Sequence, residues 1–231
     1  MNMITPNHVA IIIDGNRRWA VAHNLPPWKG HWKGEKVVEN FLDWCLKSNI
    51  PEISIYSLST ENLKRSKREI EELTKVFIHG LKKLLKSDLL EKYQVRVNFV
   101  GELSILPKVM VNLMKEIMQR TAKYSKRVLN FLVGYGGHME LVGAVRKLFE
   151  RALKSGRVRL TKHDIEKNLL IKNPVDLVIR TGGYSRLSNL LIWQTAYAEF
   201  YTTDVLWPEF NKREFMKAIR WFSKVKRNFG R

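Results

Sequence analysis

The chain has 231 residues, with 41 Lys and Arg against 22 Asp and Glu, a formal net charge of +19 and 45% hydrophobic residues. That length suffices for one sizeable core, so 1–231 reads as a single domain, and the charge favours anionic partners: nucleic acid, acidic lipid headgroups or phosphorylated small molecules. The lone cysteine, Cys45, excludes an intramolecular disulfide and a cysteine-rich zinc cluster, and neither a secretory signal nor the roughly 20 apolar residues of a membrane span is found.

Val9 to Ile13 is a mostly β-branched apolar run without polar alternation, the pattern of a strand buried on both faces of a parallel sheet. It runs directly into Asp14, Gly15, Asn16, Arg17 and Arg18, where Gly15 permits a turn that other side chains block. DGN is also an ordinary turn sequence, so an anion site here needs support from the rest of the chain. His23 to Gly30, with Pro26 and Pro27, reads as a loop, and Glu35 to Lys47 as a helix burying Val37, Phe41, Cys45 and their neighbours. ISIYSL, after Pro51, reads as a second buried strand with the polar STENLKRS at its end. Glu69 to Lys86 gathers Val76, Phe77, Leu81, Leu84 and Leu85 on one broad face of a long amphipathic helix.

Gln94 to Val100 alternates as a half-exposed strand, Pro107 to Tyr124 reads as a helix, and Val128 to Val133 as a strand followed by GYGGH and a helix to about Leu153. A short helix after Thr161 precedes Val175 to Ile179, the last clear core strand, which enters RTGGYSRLSN. The apolar residues from Leu190 to Phe200 near the site are more than one helix there requires, and the chain closes with a helix from about Lys212 to Lys226, basic on its outer face. Strand and helix alternate nearly throughout, which specifies an α/β domain with a mostly parallel central sheet surrounded by helices.

Nearly all the unusual polar residues fall in four loops that follow four strands: DGNRRW, STENLKR, GYGGH and RTGGYSRLSN. A parallel sheet brings such loops to one edge, the edge where open α/β sheets bind ligands. Arg180 and Arg186 flank two glycines, an arrangement that suits forked donors and close backbone approach around a phosphate, although RTGG alone can equally make a turn.

In order, HVAIIIDGNRRWA, GHWKGEK, YSLSTENLKR, GYGG and DLVIRTGGYSRLSNLLIWQTAYAEFYTTDVLWPEF span residues 8–210 and resemble the cis-prenyltransferases, the family of undecaprenyl and dehydrodolichyl diphosphate synthases, in its archaeal form. The resemblance implies repeated condensation of isopentenyl diphosphate onto an allylic diphosphate, with Mg2+, to a medium- or long-chain polyprenyl diphosphate, a lipid-carrier precursor. It implies that Asp14 binds the metal, that Gly15, Asn16, Arg17, Arg18 and Trp19 bind the allylic diphosphate, and that His31 lies near both. It further implies that Ser59, Thr60, Glu61, Asn62 and Arg65 contact substrate, with Asn62 aiding proton removal or ordering the substrates. Arg180, Arg186 and Ser188 match the isopentenyl diphosphate site and Glu199 a second metal-associated carboxylate, for which an ordinary salt bridge is the competing role.

The resemblance also implies a homodimer, and Leu190, Leu191, Ile192, Trp193, Tyr197 and Phe200 fit either packing between subunits or an ordinary core. A hydrophobic tunnel along the long helix is expected, although Val76, Phe77, Leu81, Leu84 and Leu85 can equally be plain core. A cytoplasmic protein with peripheral membrane contact and no nucleic-acid partner is expected. Departures from the family pattern are Arg17 where many bacterial members have glycine, Pro27 where they have arginine, Tyr184 in place of an acidic residue, and Asn228-Phe229-Gly230 in place of a terminal Arg-x-Gly. Three other readings fit less well. A trans-prenyltransferase needs Asp-rich motifs, yet no two of Asp14, Asp43, Asp88, Asp164, Asp176 and Asp204 lie within four residues. A non-catalytic partner subunit typically loses the aspartate and the RTGG block, both intact here, and a nucleic-acid-binding protein, suggested by charge alone, has no zinc spacing or RNA-recognition signature to support it. A short-chain synthase stays an alternative, because no spacing in the sequence measures tunnel depth.

Overall fold

The unbroken apolar runs form strands whose two faces are both covered, as their composition requires. The computed structural model describes residues 4–157 and 160–227. Its strands are β1 (His8–Ile12), β2 (Glu52–Ser59), β3 (Val95–Val100), β4 (Arg127–Tyr135), β5 (Leu177–Arg180) and β6 (Glu199–Thr202). They form one sheet in the order β3-β4-β2-β1-β5-β6, every pair parallel. The helices are α1 (Asn16–Ala22), α2 (Lys29–Lys47), α3 (Lys67–Lys86), α4 (Leu89–Lys92), α5 (Lys108–Thr121), α6 (Gly137–Ser155), α7 (Lys162–Asn168) and α8 (Lys212–Phe222).

Period-two alternation divides the sheet between two cores. Val9, Ile11, Ile53 and Ile55 pack with residues of α2, α3, α5 and α8. Ala10, Ile12, Tyr56 and Leu132 face the other way, into a smaller cluster with Ile171, Leu190 and Leu191. β1 lies near the middle of the sheet, with Ile12 opposite Tyr56 of β2 and Arg180 of β5. The ends of β1, β2, β4 and β5 therefore share one edge, as the sequence pattern predicts.

Three elements differ from the sequence expectation. α2 begins at Lys29, six residues before Glu35, because Gly30 and Gly34 are helical positions rather than loop signals. A Cβ at Gly30 would lie 1.9 Å from the Asn16 carbonyl oxygen, and one at Gly34 would lie 2.2 Å from Asn16 Oδ1. The two glycines, one turn apart on one face, let α2 press against the start of α1. The Leu190–Phe200 stretch is not helical: Leu190 and Leu191 sit in turns inside the core of their own subunit, and the chain then enters edge strand β6. α8 ends at Phe222, four residues short of Lys226.

Candidate active site

β1 delivers Asp14 to the shared edge, two residues past the Ile12 position that pairs with Arg180. The Asp14 backbone is fixed from two sides, its carbonyl accepting from Thr181 Oγ1 at 2.7 Å and from the Trp207 N–H at 3.0 Å. Arg180 Nη2 donates to Asp14 Oδ2 at 2.9 Å, and Arg18 Nη2 reaches Asp14 Oδ1 at 3.3 Å. Arg180 also donates through Nη1 to Ser188 Oγ at 2.7 Å and to the Arg186 carbonyl. Its side chain is only 4% exposed, yet its Nε has no partner. Arg18 passes across Gly182, where φ is +85° and a Cβ would stand 2.3 Å from the guanidinium, so this position requires glycine.

A second cluster gathers on Glu69, a buried carboxylate in the first turn of α3 that the sequence reading did not single out because it also fits an amphipathic helix pattern. Glu69 Oε1 accepts from Arg65 Nη1 at 3.0 Å and lies 3.5 Å from Arg17 Nε and 3.7 Å from His31 Nε2. His31 Nε2 is buried without a hydrogen-bond partner. Burial first, and then the Arg65 and Arg17 charges, lower the His31 pKa from 6.5 to about 4. The ring is therefore neutral near pH 7.

On the β2 side, Ser59 and Asn62 are locked together, the Ser59 N–H donating to Asn62 Oδ1 and the Asn62 N–H to Ser59 Oγ, both at 3.2 Å. Burial pushes the Glu61 pKa up, but its own backbone N–H, Ser59, Asn189 and Thr60 reverse this and leave it below the ordinary value. Asn189 also escaped the sequence reading. Its Nδ2 donates to Glu61 at 3.4 Å, and its Oδ1 accepts from the His138 N–H at 2.9 Å, tying three of the four loops together. Ser188 and Asn189 have φ of 49° and 66°, a left-handed pair held by these contacts. The serine-asparagine dipeptide is the one sequence signal for that bend, since asparagine tolerates this region.

One cavity of about 1510 Å³ opens here and is lined by Asp14, Gly15, Asn16, Arg17, Arg18, His31, Ser59, Glu61, Asn62, Arg65, Arg180 and Ser188. It continues between the sheet and α2 and α3, past Val76, Phe77, Leu81 and Leu84, to Leu129 and Val128 of β4. The six register steps from Ser59 down to Ile53 correspond to about 20 Å of strand. Four expected residues stand apart from the lining. Trp19 stacks on His23 and donates to Glu209, the Thr60 N–H bonds the Tyr135 carbonyl, and the Arg186 guanidinium lies over the Tyr184 ring. Glu199 pairs in register with Leu177, at the opposite end of β5 from Arg180, and lies 3.9 Å from Arg227 Nε. Within one protomer Asp14 and Glu199 therefore do not meet on one ion. Arg227 binds Asp176 at that same far edge, and Asn228-Phe229-Gly230 lies outside the described residues.

Among the described residues no group of three or more His, Cys, Asp or Glu side chains could hold a metal ion. Asp14 is one hard oxygen donor in a cavity otherwise rich in cations. That donor set fits Mg2+ only in the mode in which one carboxylate and substrate phosphate oxygens share the ion.

The family model described as "Putative undecaprenyl diphosphate synthase" matches residues 12–230. A tritrans,polycis-undecaprenyl-diphosphate synthase (geranylgeranyl-diphosphate specific) of Pyrococcus horikoshii is 43% identical over 233 residues, covering 99% of this chain and 88% of the relative. The protein of that name in Methanopyrus kandleri is 40% identical, over 98% of this chain and 85% of its own. Among solved structures, lavandulyl diphosphate synthase from Lavandula x intermedia, in complex with dimethylallyl diphosphate, superposes with a TM-score of 0.92 at 30% identity, covering 98% of this chain and 99% of that one. A probable undecaprenyl diphosphate synthase from Campylobacter jejuni gives 0.82 at 30% identity, over 99% and 100%.

The parallel sheet, its cationic edge and these relatives define an enzyme that transfers prenyl groups. The chain belongs to the cis-prenyltransferase family, that of undecaprenyl diphosphate synthase.

The His31 environment yields a pH prediction. The folded chain keeps this imidazole neutral down to about pH 4 while the unfolded chain protonates it near 6.5, so its contribution to stability is complete above 6.5 and is lost as pH falls toward 4. An NMR titration of the His31 ring in the ligand-free protein should give a midpoint near 4; a midpoint near 6.5 contradicts the burial and the flanking arginines.

Proposed function

We propose that this enzyme extends an allylic diphosphate primer with isopentenyl diphosphate to a polyprenyl diphosphate of undecaprenyl length. The observation that supports the reading is one cavity with Arg17, Arg18, Arg65 and Arg180 at one end and Val76, Phe77, Leu81 and Leu84 among the apolar side chains that line much of the rest. Its volume of about 1510 Å³ exceeds the ~300–1,000 Å³ of common small-molecule sites. The named activity of the Pyrococcus horikoshii relative supports geranylgeranyl diphosphate as primer.

In this reading Arg17, Arg18 and Arg65 at the mouth hold the donor diphosphate, while Arg180, Arg186 and Ser188 hold the acceptor. Gly15 and Asn16 let the donor approach the backbone where β1 ends. Asp14, together with phosphate oxygens of the donor, would hold Mg2+, which when bound would supply electrophilic neutralisation of the charge that builds on departing pyrophosphate. Two arginines on the acceptor fix its double bond against the donor carbon, and a bidentate guanidinium to phosphate contact is roughly twice as strong as a neutral hydrogen bond. His31, neutral and lacking a hydrogen-bond partner at Nε2, is placed to hydrogen-bond a phosphate oxygen. Asn62, locked by Ser59, orders the acceptor. The growing chain leaves water by descending between Val76, Phe77 and Leu81.

A short-chain product is the second reading, favoured by the close superposition on lavandulyl diphosphate synthase. The two separate on product length. Incubation with radiolabelled isopentenyl diphosphate and ten-, fifteen- or twenty-carbon primers should give butanol-extractable label that disappears in excess chelator, with best use of the twenty-carbon primer and products of about ten to twelve units. Addition of a single unit supports the second reading, and full incorporation in chelator removes the metal role. Asp14→Ala should lower turnover about 10²-fold or more, the scale of losing one transition-state electrostatic contact.

We further infer a homodimer built on α6. Val142, Val145, Phe149 and Leu153 are exposed along one stripe of that helix, and Phe149 and Leu153 are 62% and 69% exposed. An apolar stripe of this size on an outer helix suits a two-fold contact with a second copy. Tyr197 is exposed as well, whereas Leu190 and Leu191 are spent on the subunit's own core. No helix among the described residues is long and apolar enough to cross a membrane. The basic outer face of α8, with Lys212, Arg213, Lys217 and Arg220 exposed, favours docking on an anionic leaflet into which the hydrocarbon product passes. Light scattering at micromolar concentration should report a dimer, and the paired change Val145→Glu with Phe149→Glu should give a monomer; an unchanged dimer places the contact elsewhere.

A further inference from the structure

The acceptor diphosphate site rests on Arg186, and Arg186 is the least anchored of the arginines at this edge. Arg180 is held by Asp14, Ser188 and the Arg186 carbonyl, and Arg18 by Asp14. No hydrogen bond or ion pair among the described residues holds the Arg186 guanidinium. What holds it is a ring: Arg186 Cζ lies 4.0 Å from the centroid of Tyr184, with Arg18 Cζ at 4.8 Å and Arg180 Cζ at 5.7 Å from the same centroid. Three guanidinium groups thus surround one aromatic side chain that is 40% exposed, on the loop that follows two left-handed glycines.

We propose that Tyr184 is the positioning residue of the acceptor site: its π face holds the Arg186 guanidinium in the orientation that receives the acceptor diphosphate. The inference rests on the assignment of Arg180, Arg186 and Ser188 to isopentenyl diphosphate. A ring attracts a guanidinium through its quadrupole without placing a negative charge on it. Tyr184 orders the donor fork while leaving its full charge for the substrate. Side chains frozen before binding carry no ordering penalty at the moment of binding, so the gain appears as affinity. Arg18 and Arg180 have Asp14 as a second anchor, and the effect is therefore concentrated on the acceptor.

The test compares the full-length wild type, Tyr184→Phe and Tyr184→Leu. Tyr184→Leu should raise the KM for isopentenyl diphosphate about fivefold, the scale of freeing one long side chain, with kcat and the KM for the allylic primer within about twofold. Tyr184→Phe should restore the wild-type values, because the ring and not the hydroxyl does the holding. Calorimetric titration with isopentenyl diphosphate should show the same order of affinities, and equal melting temperatures should accompany it. If the wild type does not bind isopentenyl diphosphate, the functional reading fails and this assignment with it. If the wild type binds and Tyr184→Leu binds equally well, the functional reading stands and the role of Tyr184 is overturned. A Tyr184→Phe variant as weak as Tyr184→Leu also overturns it.

Discussion

Everything at the cationic edge depends on the contact between Asp14 and Arg180, 2.9 Å apart with Arg180 almost fully buried. Leaving a buried guanidinium without its carboxylate is costly, so the pair fixes where β1 and β5 end relative to each other. The same carboxylate receives Arg18, so one negative charge faces two nearby cations. The surplus positive charge, the unpartnered Arg180 Nε and the unpartnered His31 Nε2 leave the edge electrostatically incomplete in the free protein. In the proposed reading a diphosphate substrate supplies what is missing, and arrangements of this kind characterise sites preorganised for charge that develops during reaction.

The topology explains how one chain joins that edge to an apolar space. With β1 between β2 and β5, the loops that carry Asp14, Asn62 and Arg180 meet without any long excursion. One face of the sheet is covered by α2, α3, α5 and α8, and it is there, beneath the polar mouth, that the cavity lies. The opposite face carries the smaller cluster and α6, whose stripe of Val142, Val145, Phe149 and Leu153 is left uncovered by the described residues. The cavity and the exposed α6 stripe thus lie on different faces of the same sheet, and Glu69, Asn189 and Trp207 bind the loops to the helices between them.

How much of this was legible in the sequence depends on the physical signal each part leaves. β1 was readable as an unbroken apolar run, β2 and β4 as apolar runs interrupted inside by only Ser54, Ser57 and Asn130, and the polar loops after them were readable by contrast. The start of α2 was hidden because Gly30 and Gly34, required by the close approach of Asn16, look like loop residues when the neighbouring helix is unknown. β6 was hidden because EFYT is a four-residue edge strand, half-buried and without alternation of its own. Asp14, Arg18, His31, Asn62, Arg65 and Arg180 were found through motif resemblance, and the structure gathers all of them at one cavity. Glu69 and Asn189 were missed for different reasons: the first fits a helix pattern, and the second matters through its left-handed backbone and its reach to distant loops.

The central claim is that this edge joins prenyl units with cis geometry, and the geometry of the newly made double bonds tests it most directly. The enzyme should be supplied with isopentenyl diphosphate carrying 13C at its methyl carbon and with unlabelled all-trans geranylgeranyl diphosphate, and the dephosphorylated product examined by carbon NMR. The account predicts that every labelled methyl resonates as the substituent of a cis trisubstituted double bond, while the primer bonds remain trans. Labelled methyls in the trans position would contradict it.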